Sequence, residues 1–188
     1  LKVIDLTNQT VSTLFSRNVV HNAEKMIVRP NKILLIRKNF IEFSFKENED
    51  EEVEILPDFE KFETLNSAEQ YFLADNYNWD DGTIVLDWII DSPKCDKGTA
   101  SLIFWRAEPD FYFDYTGETI EDYEKPVWNL LQKIVKKFRE NRFKNSKLKF
   151  DPIEEGYKTD WKTELDIWEI PAELKIATKG KKPFSFGL

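Results

Sequence analysis

Asp80, Asp81 and Asp96 are the side chains of this sequence that come closest, by type and spacing, to doing chemistry. Brought together they would make paired carboxylates for general acid/base work or for a Mg²⁺ site, the alternative reading being a hydrolase or metal-dependent enzyme. They belong to two matching stretches. Asp80-Asp81-Gly82-Thr83 is followed by Leu86 and Trp88, and sixteen residues on Asp96-Lys97-Gly98-Thr99 is followed by Leu102 and Phe104. An Asp at that offset suits a helix N-cap, whose carboxylate accepts the free amide protons of the first turn. Asp80 and Asp96 are therefore expected to be structural caps, Asp81 is the freer carboxylate, and no residue is assigned to catalysis. A Gly in a first turn costs helix stability, which calls for the close approach of a neighbouring helix or chain.

Cys95, one residue before a helix start, could be an activated nucleophile, but no histidine or other base lies nearby in sequence, and a half-buried structural cysteine is the simpler reading. As the only cysteine it excludes an internal disulfide and argues against a cysteine-based zinc site, and His21 is likewise the only histidine. No metal and no cofactor is expected. Trp88 and Trp105 sit at helical spacing and read as core, whereas Trp79 lies in a loop and joins Asp81 as a candidate binding residue.

The run Asn76-Tyr77-Asn78-Trp79-Asp80-Asp81-Gly82, with Cys95-Asp96-Lys97-Gly98-Thr99-Ala100 and Phe104-Trp105 after it, resembles the bacterial family catalogued as domain of unknown function 4274. The resemblance covers about residues 64 to 140. It implies a small helical domain with no established activity and supplies no catalytic residue. Small proteins of this type look like accessory or immunity-type partners of secreted toxins.

The elements that must position these residues follow from periodicity. Asn66 or Ser67 can cap a helix running to about Asn76, with Glu69 at the capping-box offset from Asn66. Helices are expected near Thr83–Ile90 and Lys97–Ala107, apolar nearly all round and so placed inside a bundle. A longer one follows Pro126, with Val127, Leu131, Ile134 and Phe138 on one face and an end near Phe143. A short helix at Pro171–Leu174 is possible in sequence, and Trp161 and Trp168 suggest that the tail packs back. Ahead of all these, Val11, Leu14 and Phe15 have helical spacing. Ile33–Ile36 is a short apolar run, and Ile41, Phe43 and Phe45 alternate with polar residues, as do Val53 and Ile55, the pattern of half-buried strands with a turn at Lys38-Asn39.

The expected fold is thus α+β: N-terminal antiparallel strands or a hairpin packed on a helical bundle that forms the C-terminal two thirds. One domain over 1–188 is expected, strand-rich over 1–60, helical over 65–145 and irregular over 146–188. Six Trp and fifteen Phe argue against disorder. No apolar run approaches the roughly 18 residues that span a bilayer. No charged segment followed by an apolar core and small-residue cleavage site opens the sequence, so a cytoplasmic location is expected.

A net charge of −8 disfavours nucleic acid and anionic lipid and favours a basic protein as partner. The charge is polarised. Glu47–Glu60 carries eight carboxylates and no basic residue, and Lys133–Lys149 carries eight basic residues and one acid, Glu140. The basic stretch, interleaved with Phe138, Phe143 and Phe150, could touch phosphates but reads as a solvated helix end. The sequence therefore points to a non-catalytic protein-binding module, such as an immunity-type inhibitor of a basic toxin, with Glu49, Asp50, Glu51, Glu52, Trp79 and Asp81 as its contact residues.

Overall fold

Asp58 and Asn66 each start a helix by accepting amide protons from the first turn. Asp58 Oδ1 accepts from Lys61 N at 3.1 Å and opens α1, Phe59–Glu63. Asn66 Oδ1 accepts from Ala68 N and Glu69 N at 2.9 and 3.1 Å, while Glu69 Oε2 accepts in return from Asn66 N at 2.9 Å. This reciprocal pair is a capping box, and it opens α2, Ser67–Asp75.

The computed structural model describes residues 2–5, 23–29, 32–37, 57–161 and 165–182. The chain divides into two compact units, one reaching Glu69 and the other Gln70–Pro183. In the first, β1 (Lys2–Asp5), β2 (Ala23–Arg29) and β3 (Lys32–Arg37) pair antiparallel as backbone segments in the order β1-β3-β2.

The α+β expectation needs correction. The part of the chain whose side chains are described begins at Pro57; it is helical and holds no strand, only isolated bridges at Asp96–Asn145 and Leu148–Lys181. The expected N-terminal hairpin is not the pairing seen either. Arg29 pairs with Lys32, and β3 has β1 on its other edge, whereas the expected turn at Lys38-Asn39 lies outside the described residues. The expected strands at 41–45 and 53–55, the helical spacing at 11–15 and His21 lie outside the described residues.

In the second unit three helices make the core: α3 (Ile84–Asp91), α4 (Lys97–Arg106) and α5 (Lys125–Arg139). Gly98 to Trp105 of α4 are all buried, which makes it the central helix. From α3 come Val85, Leu86, Ile89 and Ile90, and from α5 Leu130, Leu131, Ile134, Val135 and Phe138. Each such aliphatic side chain stabilises by about 1.5–3 kcal/mol on burial. Across the rim, Lys133 Nζ meets Asp87 Oδ1 at 2.5 Å and Asp91 Oδ2 at 3.1 Å, and Lys137 Nζ meets Asp91 Oδ1 at 2.6 Å and the Ile90 carbonyl at 2.7 Å. Burial pushes the Asp91 carboxyl up, but the hydrogen bonds from Lys137 and Lys133 outweigh it and hold it below its ordinary value. α5 stops short of Phe143 because Asn141 takes a left-handed φ of 50°.

Beyond α5 the chain wraps the bundle, with two 3₁₀ turns, Asp166–Trp168 and Ala172–Leu174. Trp105 Nε1 donates to the Leu174 carbonyl at 2.8 Å and Trp168 Nε1 to the Tyr115 carbonyl at 3.0 Å. Both indoles are buried, so both need those acceptors. Among the described residues no helix is long and apolar enough to cross a membrane.

Candidate functional site

The two Asp-x-Gly-Thr stretches do different things. Asp80 and Asp81 lie exposed in a 3₁₀ turn, Trp79–Asp81, whose cap is the Asn78 side chain accepting from Asp80 N at 3.3 Å. Gly82 leaves that turn at φ 76°, and Tyr77 donates its hydroxyl to the Gly82 carbonyl at 2.9 Å. Asp80 is therefore not a helix cap, contrary to expectation. α3 begins at Ile84 behind Thr83, whose side chain makes no capping bond. Burial and the nearby Asp81 charge push the Tyr77 hydroxyl up to about 12, and the half-buried Trp79 stands edge-to-face on its ring at 6.4 Å.

Asp96, by contrast, is the N-cap of α4, accepting from Gly98 N at 2.9 Å. It is also fully buried, and its carboxylate takes the backbone amides of Lys147 at 2.7 Å and Leu148 at 3.3 Å. Lys97 N adds a bond to the Asn145 carbonyl at 2.8 Å. Gly98 is needed because a Cβ there would stand 2.3 Å from the Leu148 carbonyl oxygen. The clasp continues through Thr178. Its hydroxyl donates to the Leu148 carbonyl at 3.0 Å and accepts from Phe150 N at 2.8 Å, and Lys181 N reaches the Lys147 carbonyl at 2.9 Å. Cys95 is buried beside it, where burial pushes the thiol well above its ordinary value.

The enzyme alternative needed three converging carboxylates. Asp96 spends its oxygens on backbone amides inside the fold, while Asp80 and Asp81 face solvent on a separate turn. Among the described residues no group of three or more His, Cys, Asp and Glu is placed to hold a metal. Glu49, Asp50, Glu51 and Glu52 lie outside the described residues.

A segment that the sequence reading passed over stands out in space. Between α4 and α5, residues 108–124 carry seven carboxylates, five aromatic rings and no basic residue. Glu108, at φ 50°, breaks the helix, and Pro109 begins a 3₁₀ turn to Tyr112. The inward side chains anchor it. Tyr112 is buried and donates to Glu124 Oε2 at 2.5 Å, its hydroxyl pushed up by burial and then by that bond. Phe113 packs on Trp168 at 5.6 Å and on Trp161 at 6.2 Å, and Ile120 is buried. Held this way, the segment presents Phe111 at 52% exposure and Tyr123 at 77%. Phe111 is braced edge-on by Tyr112 at 4.9 Å and by Tyr115 at 5.8 Å. Asp110, Asp114, Glu118 and Glu121 are exposed around them and form no ion pair with any described residue. The signal was legible as composition, but it has no helical or strand period and so no element to carry it.

At the far end of α5 the basic stretch is partly spent. Lys133 and Lys137 neutralise Asp87 and Asp91, and Arg142 pairs with Glu140 at 3.0 Å. Lys136, Lys144 and Lys147 are exposed and make no ion pair with a described residue. An open groove of about 550 Å³ on this face is lined by Gln132, Lys133, Lys136, Arg139 and Glu140.

Residues 66–139 match the family model described as Domain of unknown function (DUF4274). Over that stretch the chain is similar to the DUF4274 domain. That domain runs from the capping-box Asn66 to the last residue of α5, so it holds the Asp96 cap, the acid–aromatic segment and all of the groove lining but Glu140. The backbone that Asp96 grips, at Lys147 and Leu148, comes from beyond it. No curated protein and no solved structure matches the chain significantly.

Proposed function

We propose that this chain is a non-catalytic protein-binding module, working in the cytoplasm, whose DUF4274 domain presents the acid–aromatic segment 108–124 to a basic protein. The supporting observation is that Phe111 and Tyr123 stand exposed on a segment anchored from beneath by Tyr112, Phe113 and Ile120, where Asp110, Asp114, Glu118 and Glu121 form no ion pair with any described residue. Exposed aromatics give an interface its few energetic anchors, whereas rim carboxylates speed encounter with a cationic surface. Pre-anchoring lowers the ordering cost of binding. Trp79 and Asp81 offer a second, smaller patch of the same character, and the carboxylates of Glu49, Asp50, Glu51 and Glu52 belong to the net charge of −8 that favours a basic partner. A basic toxin held by its immunity-type inhibitor is the kind of pair that fits.

The test is capture of partners from the native host on the wild-type chain, followed by kinetics with the basic protein recovered. Phe111→Ala should weaken binding by about tenfold or more through faster dissociation. Asp110→Asn, Asp114→Asn, Glu118→Gln and Glu121→Gln together should slow association by about tenfold at low salt, an effect that shrinks as the Debye length falls below about 10 Å. Thermal midpoints should barely move. Wild-type kinetics in both variants would place the contact surface elsewhere.

A further inference from the structure

Two side-chain donors on α5 are left over by the fold. Trp128 Nε1 and Gln132 Nε2 are both buried, and neither makes a hydrogen bond with any described residue. A buried N–H that has given up water and found no acceptor costs stability, so folded proteins keep few of them. The two residues are four apart in sequence, which puts them one turn apart on the same face of the helix. Along that face Lys136 and then Arg139 follow. Gln132, Lys136 and Arg139 line the groove of about 550 Å³, and Lys133 and Glu140 complete it. Two of these charges are already answered: Lys133 is held by Asp87 and Asp91, and Glu140 by Arg142. Lys136 forms no ion pair with any described residue, and Arg139 donates to the Glu169 carbonyl, a neutral acceptor, at 2.6 Å. The groove therefore offers a ligand N–H donors and positive charge.

We propose that the α5 groove binds a small phosphorylated molecule, whose phosphate oxygens accept from the Gln132 amide and the Lys136 ammonium in the field of Arg139. Gln132 is half-buried and its terminal torsion is soft, so the amide can turn toward a ligand, and its Nε2 gives up no bond in doing so. A phosphate carries about −1.5 to −2 charges at neutral pH and three acceptor oxygens, enough for donors that converge from several side chains. A carboxylate has one charge and two oxygens in one plane, which suit a single guanidinium fork better. The groove has the volume of a small-molecule site, roughly 300–1,000 Å³, and so has room for the carrier of the phosphate as well. The aliphatic stems of Lys133 and Lys136 can cover that carrier, and Lys133 lends its stem while Asp87 and Asp91 keep its charge. Segment 108–124 is acidic and this groove is basic, so the inference goes beyond the proposed function and stands or falls without it.

The test is titration of the full chain, labelled with nitrogen-15, against inorganic phosphate, glycerol 3-phosphate and acetate at constant ionic strength and neutral pH, followed by NMR at the Gln132 side-chain amide and the α5 backbone amides. Both phosphates should shift these signals saturably in the millimolar range or below, glycerol 3-phosphate the more tightly, and acetate should leave them in place. Lys136→Met keeps the stem and removes the charge, and should weaken glycerol 3-phosphate binding by about tenfold. Gln132→Met removes the orphan donor at similar length. It should weaken binding several-fold while the thermal midpoint holds or rises, because a buried donor without an acceptor has gone. A glutamine with only a structural role gives the reverse, a lower midpoint and unchanged binding. No saturable shift with either phosphate, acetate binding as tightly, inorganic phosphate matching glycerol 3-phosphate, or either variant binding as the wild type does would each overturn the proposal.

Discussion

The stretches Asp80–Thr83 and Asp96–Thr99 share their first, third and fourth residues and differ in almost everything else. The first is an exposed 3₁₀ turn that ends in a left-handed Gly82; the second is the buried start of α4, with Gly98 pressed against the backbone at Leu148. Nothing lies within 4 Å of a Cβ built on Gly82. The tetrapeptide therefore does not specify a helix start by itself. What decides is whether another piece of chain lies across it, and only Asp96 has the 145–148 segment to hold.

This contrast can be broken by substitution. Gly98→Ala should be the most damaging change, about 3 kcal/mol or more, since the Leu148 carbonyl is backbone and cannot swing away. Gly82→Ala should cost about 1–2 kcal/mol, from its φ alone. Equal costs in chemical denaturation would show that both glycines serve only local geometry. Asp96→Ala comes next, at about 2–3 kcal/mol, more than an ordinary cap because it orphans amides from two segments. Asp80→Ala should stay within about 0.5 kcal/mol. Thr178→Val, which strips the Phe150 amide of its acceptor, should cost about 1–2 kcal/mol and sharpens the case that the clasp is a network.

The smallest effect is one of pH. Asp91 is held below its ordinary 3.8, so its ion pairs stabilise fully above that value, and the stabilisation is lost as pH falls through the lowered one. Lys133 is raised above 10.5, burial pulling it down and Asp87 and Asp91 more than restoring it, so its share persists below 10.5 and is lost as pH rises through the raised value. The stability gap between wild type and Lys137→Met should be flat between about pH 5 and 9, close on further acidification, and stay under about 1 kcal/mol because the pairs are half exposed. A gap that changes sign inside that window would sink this account.

How much of this was legible beforehand depended on whether a local rule decided the outcome. The capping box at Asn66 and Glu69 could be read because both partners lie within one turn. The all-round apolar character of α4 announced its central position, and Gly98 announced a close approach, though not that Leu148 was the neighbour. Asp80 misled because cap chemistry at Asp96 depends on a chain some fifty residues further on, which no local spacing encodes. Period-two alternation suggested a sheet partner for Ile33–Ile36 at 41–45, whereas the described partners of β3 are β1 and β2, from earlier in the chain, which no local alternation encodes. The acid–aromatic segment escaped notice because its order comes from what it packs on, Trp168 and Trp161, and not from its own pattern.

Cys95 gives the molecule a built-in clock. As the chain's only thiol, buried beside the start of α4, it can meet an alkylating reagent only when the fold around it opens. Its labelling rate at fixed pH therefore counts openings of the structure there. Comparing that rate with the rate of whole-chain unfolding tells whether the C-terminal strap lifts as a separate unit or leaves only when the bundle melts.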